Sequence, residues 1–320
     1  MLKSIFIGIV CILAEVSWAF ALDGDSFQPL PMDMRRAIAN DARPPARRVP
    51  ERMLPPLSPD KVGIIRRVSL RDSERVIALT FDLCELATST SGCDMQVLGF
   101  LREKRIPATL FMGGKWMRTH ARRVRQIMRE PLFEIANHAW THGNSALLSD
   151  GGLRAQILWT QAQYELLRAE VLDEDRGVRI APSMTLFRLP YGRSSTRALS
   201  TIASLGMRVI QWDVVGEGGR ITSRKSARQH AHNIVKSVRP GSILLFHANL
   251  VPTGTALLVP EVVSLLQEKG YRFVSVSTLL TLGEAEIVMD GYFTHKGDNH
   301  ALDSRFGIDG TGLRVPFRGE

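Results

Sequence analysis

Cysteine, internal repetition and low-complexity sequence are all scarce in this chain. Its 320 residues include only three cysteines, contain no internal repeat, and show no low-complexity run beyond one Pro/Arg-rich segment. These absences exclude a repeat architecture and leave room for at most one disulfide. A chain of this length can bury a sizeable core, and it suits one large α/β domain with tails about as well as two average domains.

A long apolar run at the start of the sequence is typical of an export signal. Lys3 supplies a positive charge, residues 5–13 an apolar core, and Ala19-Phe20-Ala21 a small-residue cleavage site. We therefore expect residues 1–21 to be a signal peptide and the mature chain to be periplasmic or secreted, without stable membrane insertion. The alternative is an uncleaved anchor, because residues 4–22 are almost long enough to span a bilayer.

The export signal also bears on the cysteines. Cleavage removes Cys11 and leaves Cys84 and Cys93. An even pair in an oxidising compartment favours a disulfide that closes a short loop. The alternative is two independent thiols.

Acidic residues are outnumbered by basic ones, and the formal net charge is +9. A basic exported protein is attracted to anionic cell-wall or extracellular polymers by long-range electrostatics. Nucleic acid is the weaker interpretation, since the basic residues are scattered and no recognition motif accompanies them.

Three segments follow the predicted signal. Residues 22–71 are rich in Pro and Arg, which favours an extended linker or a strap on the domain surface. Residues 72–283 alternate short β-like runs with longer amphipathic stretches, a pattern typical of βα units and a parallel sheet. Residues 284–320 form a C-terminal extension that either packs across the domain, lines its groove or stays mobile.

The alternating segment predicts an α/β fold, either a barrel or an open doubly wound sheet. We place seven strands at 76–82, 108–113, 133–138, 185–188, 207–213, 242–247 and 272–275. Helices are predicted between them at 95–104, 115–129, 152–173, 195–205, 223–238 and 255–269.

Five of the predicted strands end in a polar or ionisable residue. These residues are Asp82, His138, Arg188, Asp213 and His247. Because parallel α/β folds build their sites at the carboxyl ends of strands, we expect the five side chains to lie together at this end of the sheet.

Two histidines, His138 and His142, stand four residues apart at one of these strand ends. This spacing allows two imidazoles to bind one metal ion. The pattern does not match a zincin-type protease, since that motif requires Glu directly after the first His and Ala139 stands there. The alternative is a pair of ordinary hydrogen-bonded histidines.

Taken in chain order, these motifs resemble a known family, the polysaccharide deacetylases with a NodB-homology domain, also called carbohydrate esterase family four. The resemblance covers about residues 76–280. It rests on Thr80-Phe81-Asp82, Asn137-His138-Ala139-Trp140-Thr141-His142, Arg188-Leu189-Pro190-Tyr191-Gly192 and Leu245-Phe246-His247. It implies a distorted parallel (β/α) barrel of about seven strands, of the NodB-homology type.

The resemblance also implies a role for each matching residue. Asp82 corresponds to the general base that activates the attacking water, and Arg188 to the residue that orients this base. His138 and His142 correspond to metal ligands, and His247 to the acid that protonates the leaving amine.

The backbone N–H of Tyr191 corresponds to a donor for the developing oxyanion. The implied activity is metal-dependent hydrolysis of N-acetyl groups on an extracytoplasmic carbohydrate polymer such as peptidoglycan, a chitin-like oligosaccharide or exopolysaccharide. Zinc is the expected metal, with cobalt, manganese and nickel as alternatives. A small non-sugar amide remains an alternative substrate, because similar barrels host several amide substrates.

One departure from the family concerns the metal. The family places a second, metal-binding Asp after its catalytic Asp, and this sequence has Leu83 there. We expect Glu85 to reach the ion, with ligation by Asp82 or by water as alternatives. A catalytically inactive carbohydrate-binding homologue is therefore a competing hypothesis.

A second departure concerns the residue that tunes the catalytic His. The family often carries an Asp in its fourth motif, where this sequence has Gly near the usual position. We expect Asp213 or Glu217 to take over this function, although Asp213 is equally explained as a structural residue at a strand end.

Overall fold

The computed structural model describes residues 27–34, 39–71, 74–218, 220–251 and 254–306. The predicted signal peptide and residues 307–320 of the predicted C-terminal extension lie outside these ranges. Within them, no helix combines the length and the apolar character needed to cross a bilayer.

A curled, mostly parallel sheet organises the described residues. Its strands are β1 (Ile64–Leu70), β2 (Val76–Leu83), β3 (Ala108–Met112), β4 (Phe133–Asn137), β5 (Leu186–Phe187), β6 (Arg208–Ile210), β7 (Val214–Val215), β8 (Ile243–His247), β9 (Arg272–Phe273) and β10 (Gly283–Val288). The order is β10-β1-β6-β5-β4-β3-β2-β8-β7, and β9 pairs with the start of β2. Only the β1–β10 pair is antiparallel among these named strand pairs.

Helices connect the strands and pack against the sheet. They are α1 (Met95–Glu103), α2 (Gly114–Thr119), α3 (Ala121–Met128), α4 (Asp150–Glu174), α5 (Thr196–Ser204), α6 (Arg224–Ser237), α7 (Thr255–Glu268), α8 (Val276–Leu279) and α9 (Ala301–Phe306). Side-chain caps begin several of them, including Ser149 before α4 and Ser195 before α5. Each cap satisfies a backbone N–H that the first helical turn leaves without a partner.

The sheet curls until β1 approaches the segment that leads into β8. The backbone N–H of Val68 donates to the carbonyl of Gly241 at 3.0 Å, and Arg67 forms an isolated antiparallel bridge with Ser242. Gly241 has φ +81°, and a Cβ atom there would lie 1.7 Å from the carbonyl oxygen of Val68, so glycine is required. The curl produces a half-barrel, which confirms the predicted α/β barrel class.

Alternate residues of β2 face opposite sides of the sheet, as the sequence pattern predicts. Ile77 and Leu83 join the large core beneath the helices. Val76 and Ala78 join a smaller core inside the barrel, and the alternation places Asp82 on this inner face.

Three strands were not predicted from the sequence. β1 lies in the Pro/Arg-rich segment, β10 lies in the predicted C-terminal extension, and β7 has only two residues. The helix predicted over 115–129 is divided into α2 and α3, because His120 has φ −109° and ψ 33° and separates them.

The Pro/Arg-rich segment packs on the barrel through ion pairs and backbone contacts. Arg123 of α3 binds both carboxylate oxygens of Asp33 at 2.7–2.8 Å, and both side chains are buried. Arg47 pairs with Glu165 of α4 at 2.8 Å. These contacts fit the strap alternative better than a free linker.

Candidate active site

Four strand-end residues meet at the carboxyl end of the sheet. Asp82 of β2 lies beside His247 of β8 in the register of this parallel pair. His138 and Arg188 directly follow β4 and β5. Hydrogen bonds join Arg188 to Asp82 and to His138, so these residues, distant in sequence, share one site.

Asp82 is buried and held by Arg188. Nη1 of Arg188 donates to Oδ1 of Asp82 and to Oγ1 of Thr80, both at 2.8 Å. Burial raises the pKa of Asp82, but the Arg188 guanidinium together with His138 and His247 outweighs this effect and lowers the pKa below the usual value. The carboxylate is therefore ionised and fixed in direction.

His138 presents one ring nitrogen to the site. Its Nδ1 lies 3.0 Å from the carbonyl oxygen of Arg188 and donates to it. This bond leaves the Nε2 lone pair available, at 3.3 Å from Oδ2 of Asp82. Burial lowers the pKa of His138, which favours the neutral imidazole that metal ions bind.

His142 faces His138 across the candidate site. The two rings are 4.8 Å apart between centroids, and burial lowers the pKa of His142 well below its ordinary value. Oε1 of Gln156 accepts the backbone N–H groups of Trp140 and Thr141 at 2.7 and 2.9 Å, which fixes the turn between the histidines.

Tyr191 occupies a 3₁₀ turn beside this pair. Its φ is +59°, and its ring lies 4.3 Å from that of His142 between centroids. The carbonyl oxygen of Tyr191 accepts a hydrogen bond from Asn299 at 3.0 Å. The turn therefore lies next to the histidine pair.

Donors suited to a metal ion converge in this region. The side chains of Cys84, His138 and His142 each offer one ligand atom, and these atoms lie within 4.8 Å of one another. Nε2 of His138 and Nδ1 of His142 are buried and have no hydrogen-bond partner among the described residues. Buried polar atoms without a partner are costly, so these two histidines fit a divalent metal ion.

The prediction that Glu85 binds the metal is wrong. One carboxylate oxygen of Glu85 accepts from Nζ of Lys115 and from Oγ1 of Thr119, both at 2.9 Å, and the other accepts from the backbone N–H of Ser91 at 3.0 Å. The Glu85 and Lys115 side chains are fully buried. This carboxylate compensates a buried ammonium rather than reaching the histidines.

His247 is paired with Glu217. Its Nδ1 lies 2.7 Å from one Glu217 oxygen, and the other oxygen accepts the backbone N–H of His247 at 2.7 Å and the hydroxyl of Thr255 at 3.0 Å. Burial works to lower the pKa of His247, but Glu217 and Asp82 outweigh it and raise the pKa above its ordinary value. The imidazolium form is therefore favoured.

The expected pairing of Asp213 with His247 is wrong. The Asp213 carboxylate accepts from the Ser242 hydroxyl at 2.8 Å and from the backbone N–H of Ile243 at 2.9 Å. These contacts lie at the start of β8, and His247 lies at its end. This arrangement agrees with the alternative stated from the sequence, in which Asp213 is a structural residue at a strand end.

The predicted disulfide between Cys84 and Cys93 is also wrong, because both are free and buried. Sγ of Cys93 lies 3.5 Å from Sδ of Met95, in the large core beneath the helices. Sγ of Cys84 lies 3.7 Å from Nδ2 of Asn249. The two thiols thus occupy different environments.

Comparison with known proteins finds similarity to polysaccharide deacetylases. Residues 69–210 match the family model described as polysaccharide deacetylase. A peptidoglycan-N-acetylglucosamine deacetylase of Bacillus cereus is 29% identical over 214 residues, which are 65% of this chain and 90% of the relative. A chitooligosaccharide deacetylase of Sinorhizobium fredii is 32% identical over 160 residues, which are 49% of this chain and 66% of the relative.

A solved structure shares the fold. A CE4-family pseudoenzyme from Bacillus anthracis matches with a TM-score of 0.57 and 19% identity, over 71% of this chain and 72% of that chain. At this identity the likeness supports the NodB-type half-barrel and leaves activity to the geometry of the site.

Proposed function

We propose, on the premise that residues 69–210 carry a domain of the polysaccharide deacetylase type, that the protein hydrolyses N-acetyl groups on an extracytoplasmic carbohydrate polymer in a metal-dependent reaction. The similarity to peptidoglycan and chitooligosaccharide deacetylases supports a hydrolase acting on amide bonds. Peptidoglycan, chitin-like oligosaccharides and exopolysaccharide are the candidate substrates. The signal-like residues 1–21 and the net charge of +9 support action outside the cytoplasm.

The observation that carries this proposal is that Asp82, bound by Arg188, and His247, bound by Glu217, lie side by side in one site. Asp82, aimed by Arg188, takes a proton from the attacking water. His247, kept protonated by Glu217, gives a proton to the leaving amine nitrogen. The N–H of Tyr191 donates to the oxygen that gains negative charge as the water adds to the amide carbon.

His138 and His142 would hold the metal ion. When bound, a divalent ion supplies Lewis-acid activation of the water and of the amide carbonyl. The neutral state of both imidazoles, which their burial favours, is the state that ligation requires.

Acetate release from peptidoglycan, chitooligosaccharides and exopolysaccharide, with and without added zinc, tests the proposal. Asp82→Asn should lower kcat by roughly 10²–10⁴-fold while polymer binding persists, because only the general base is lost. Asp213→Asn is the matched control, since its carboxylate stands at the start of β8, and it should retain turnover. No release from any polymer by folded, zinc-loaded protein would contradict the proposal.

A second candidate function is carbohydrate binding without turnover. It is favoured by Leu83, which stands where the family carries a metal-binding carboxylate. This alternative predicts polymer binding that a chelator does not change and no acetate release from wild-type protein. The zinc-dependent assay therefore separates the two functions.

A further inference from the structure

The inner face of β2 continues past Asp82 to Cys84. Strand alternation places Thr80, Asp82 and Cys84 on the same side of the backbone. Leu83 points the other way, is fully buried and belongs to the large core beneath the helices. Leu83, which stands where the family has its metal-binding Asp, therefore faces apolar side chains. The next side chain on the inner face is that of Cys84, which carries a thiol.

The structure holds Cys84 in place at this strand end. Its carbonyl oxygen accepts from the Ser91 hydroxyl at 2.8 Å and from Nδ2 of Asn249 at 3.1 Å. The same Asn249 nitrogen lies 3.7 Å from Sγ, and Asn249 is buried. This contact fixes the position of the thiol, as contacts around metal ligands commonly do.

The thiol lies beside two histidines, each of which has one buried ring nitrogen without a partner. The donor atoms of Cys84, His138 and His142 lie within 4.8 Å of one another. Nε2 of His138 and Nδ1 of His142 are buried and accept no hydrogen bond from the described residues. The nearby carboxylate of Glu85 is bound to Lys115, Thr119 and Ser91, so it does not compete for this position.

We propose that Cys84 is the third protein ligand of the metal centre and binds the ion as a thiolate, replacing the carboxylate that Leu83 cannot supply. This inference rests on the metal dependence of the proposed function. Each divalent ion that binds displaces one thiol proton, which passes to the buffer as the sulfur–metal bond forms. A ligand set of one thiolate and two imidazoles favours zinc and cobalt over magnesium, calcium and manganese, which prefer oxygen ligands.

Cobalt(II) titration of the metal-free full chain tests the ligand directly, without reference to activity. Wild-type protein should show a near-ultraviolet sulfur-to-cobalt charge-transfer band at one equivalent. Cys84→Ser should lose this band and bind zinc at least about a hundredfold more weakly, beyond the 10–100-fold typical of residues that only orient a ligand. Cys93→Ser is the matched control, because it removes the other buried thiol and should retain both the band and the affinity.

Two measurements guard against a misfolded variant. Cys84→Asp should bind cobalt without the charge-transfer band, because a carboxylate replaces the sulfur. X-ray absorption at the zinc edge of wild-type protein should show one sulfur scatterer. A band that persists in Cys84→Ser, or zinc without sulfur in wild type, would overturn the thiolate ligand.

The outcome separates this inference from the proposed function. A sulfur-ligated ion in a protein that releases no acetate supports Cys84 and contradicts deacetylation. Acetate release with an ion that has no sulfur ligand contradicts Cys84 and leaves deacetylation standing. Wild-type protein that binds neither cobalt nor zinc overturns both.

Discussion

Glu217 helps to determine the pH at which His247 loses its proton. Its carboxylate lies 2.7 Å from Nδ1 of His247, and together with Asp82 it raises the pKa of His247 against the effect of burial. A general acid works only while it holds its proton, so the pKa of His247 should define the alkaline limb of the kcat/KM profile.

Replacing Glu217 by Gln removes the negative charge and should lower the pKa of His247. The protonated acid is then lost at lower pH, and the alkaline limb should move down by about one to three pH units. Acetate release measured across pH gives the limb directly. Asp213→Asn should leave it in place, and a limb that stays fixed in Glu217→Gln would mean that another group supplies the proton.

The residues of the site differ in how far the sequence alone could identify them. Asp82, Arg188 and His247 end strands in recognisable motifs, so pattern and topology suffice. Period-two alternation beyond Asp82 also places Cys84 on the inner face, whereas the even number of cysteines favours a disulfide. Glu217 was one of two candidates from the sequence, and the pattern could not choose between it and Asp213, because its contact with His247 depends on the course of the loop after β7.

At the scale of elements, α2 packs closely on α4 through Gly114. A Cβ atom at Gly114 would lie 2.3 Å from Cε3 of Trp140, 2.7 Å from Oγ1 of Thr160 and 2.8 Å from Cα of Thr160. Because Cα is part of the helix backbone, the helix itself would have to move. The next residue, Lys115, carries the ammonium that binds Glu85, so the position of α2 also affects the loop after β2.

Gly114→Ala should therefore lower the free energy of unfolding by about 1–3 kcal/mol, the usual cost of overpacking a core. Chemical denaturation of the variant and the wild type measures the difference. Gly151→Ala is the control, because Gly151 lies in α4 and a Cβ there meets nothing within 4 Å. The control should be neutral or gain up to about 1 kcal/mol, and equal losses in both variants would refute the packing argument.

The elements show where sequence patterns stop being informative. Long amphipathic runs identified the helices, and buried apolar runs identified the central strands. β1 and β10 were missed because they form an antiparallel pair at the sheet margin, and β10 is only partly buried. Their pairing joins residues more than two hundred positions apart, so no local pattern specifies it.

Across the whole molecule, the segment 289–306 packs over the barrel beside the candidate site. Asp303 binds Arg193 through both carboxylate oxygens at 2.9 and 2.7 Å and accepts from Asn144 at 2.7 Å. Phe306 stacks on Tyr191 with ring centroids 5.0 Å apart. The sequence left three arrangements open for this segment, because every one of these contacts is to a residue more than a hundred positions earlier.

Asp303→Ala should release this segment while the barrel stays folded. Hydrogen bonds to charged groups contribute roughly 1.5–3 kcal/mol net, so amide exchange within 289–306 should accelerate by about tenfold or more. Hydrogen exchange read by mass spectrometry locates the change. Asp290→Asn is the control, because it weakens only an exposed ion pair with Lys296 and should leave exchange unchanged.

Since Asn144 follows His142 by two residues and Tyr191 stacks on Phe306, release of the segment should also reduce zinc affinity and acetate release. Unchanged exchange in Asp303→Ala would mean that other contacts, such as those of Arg66 with the backbone of Tyr292, hold the segment alone.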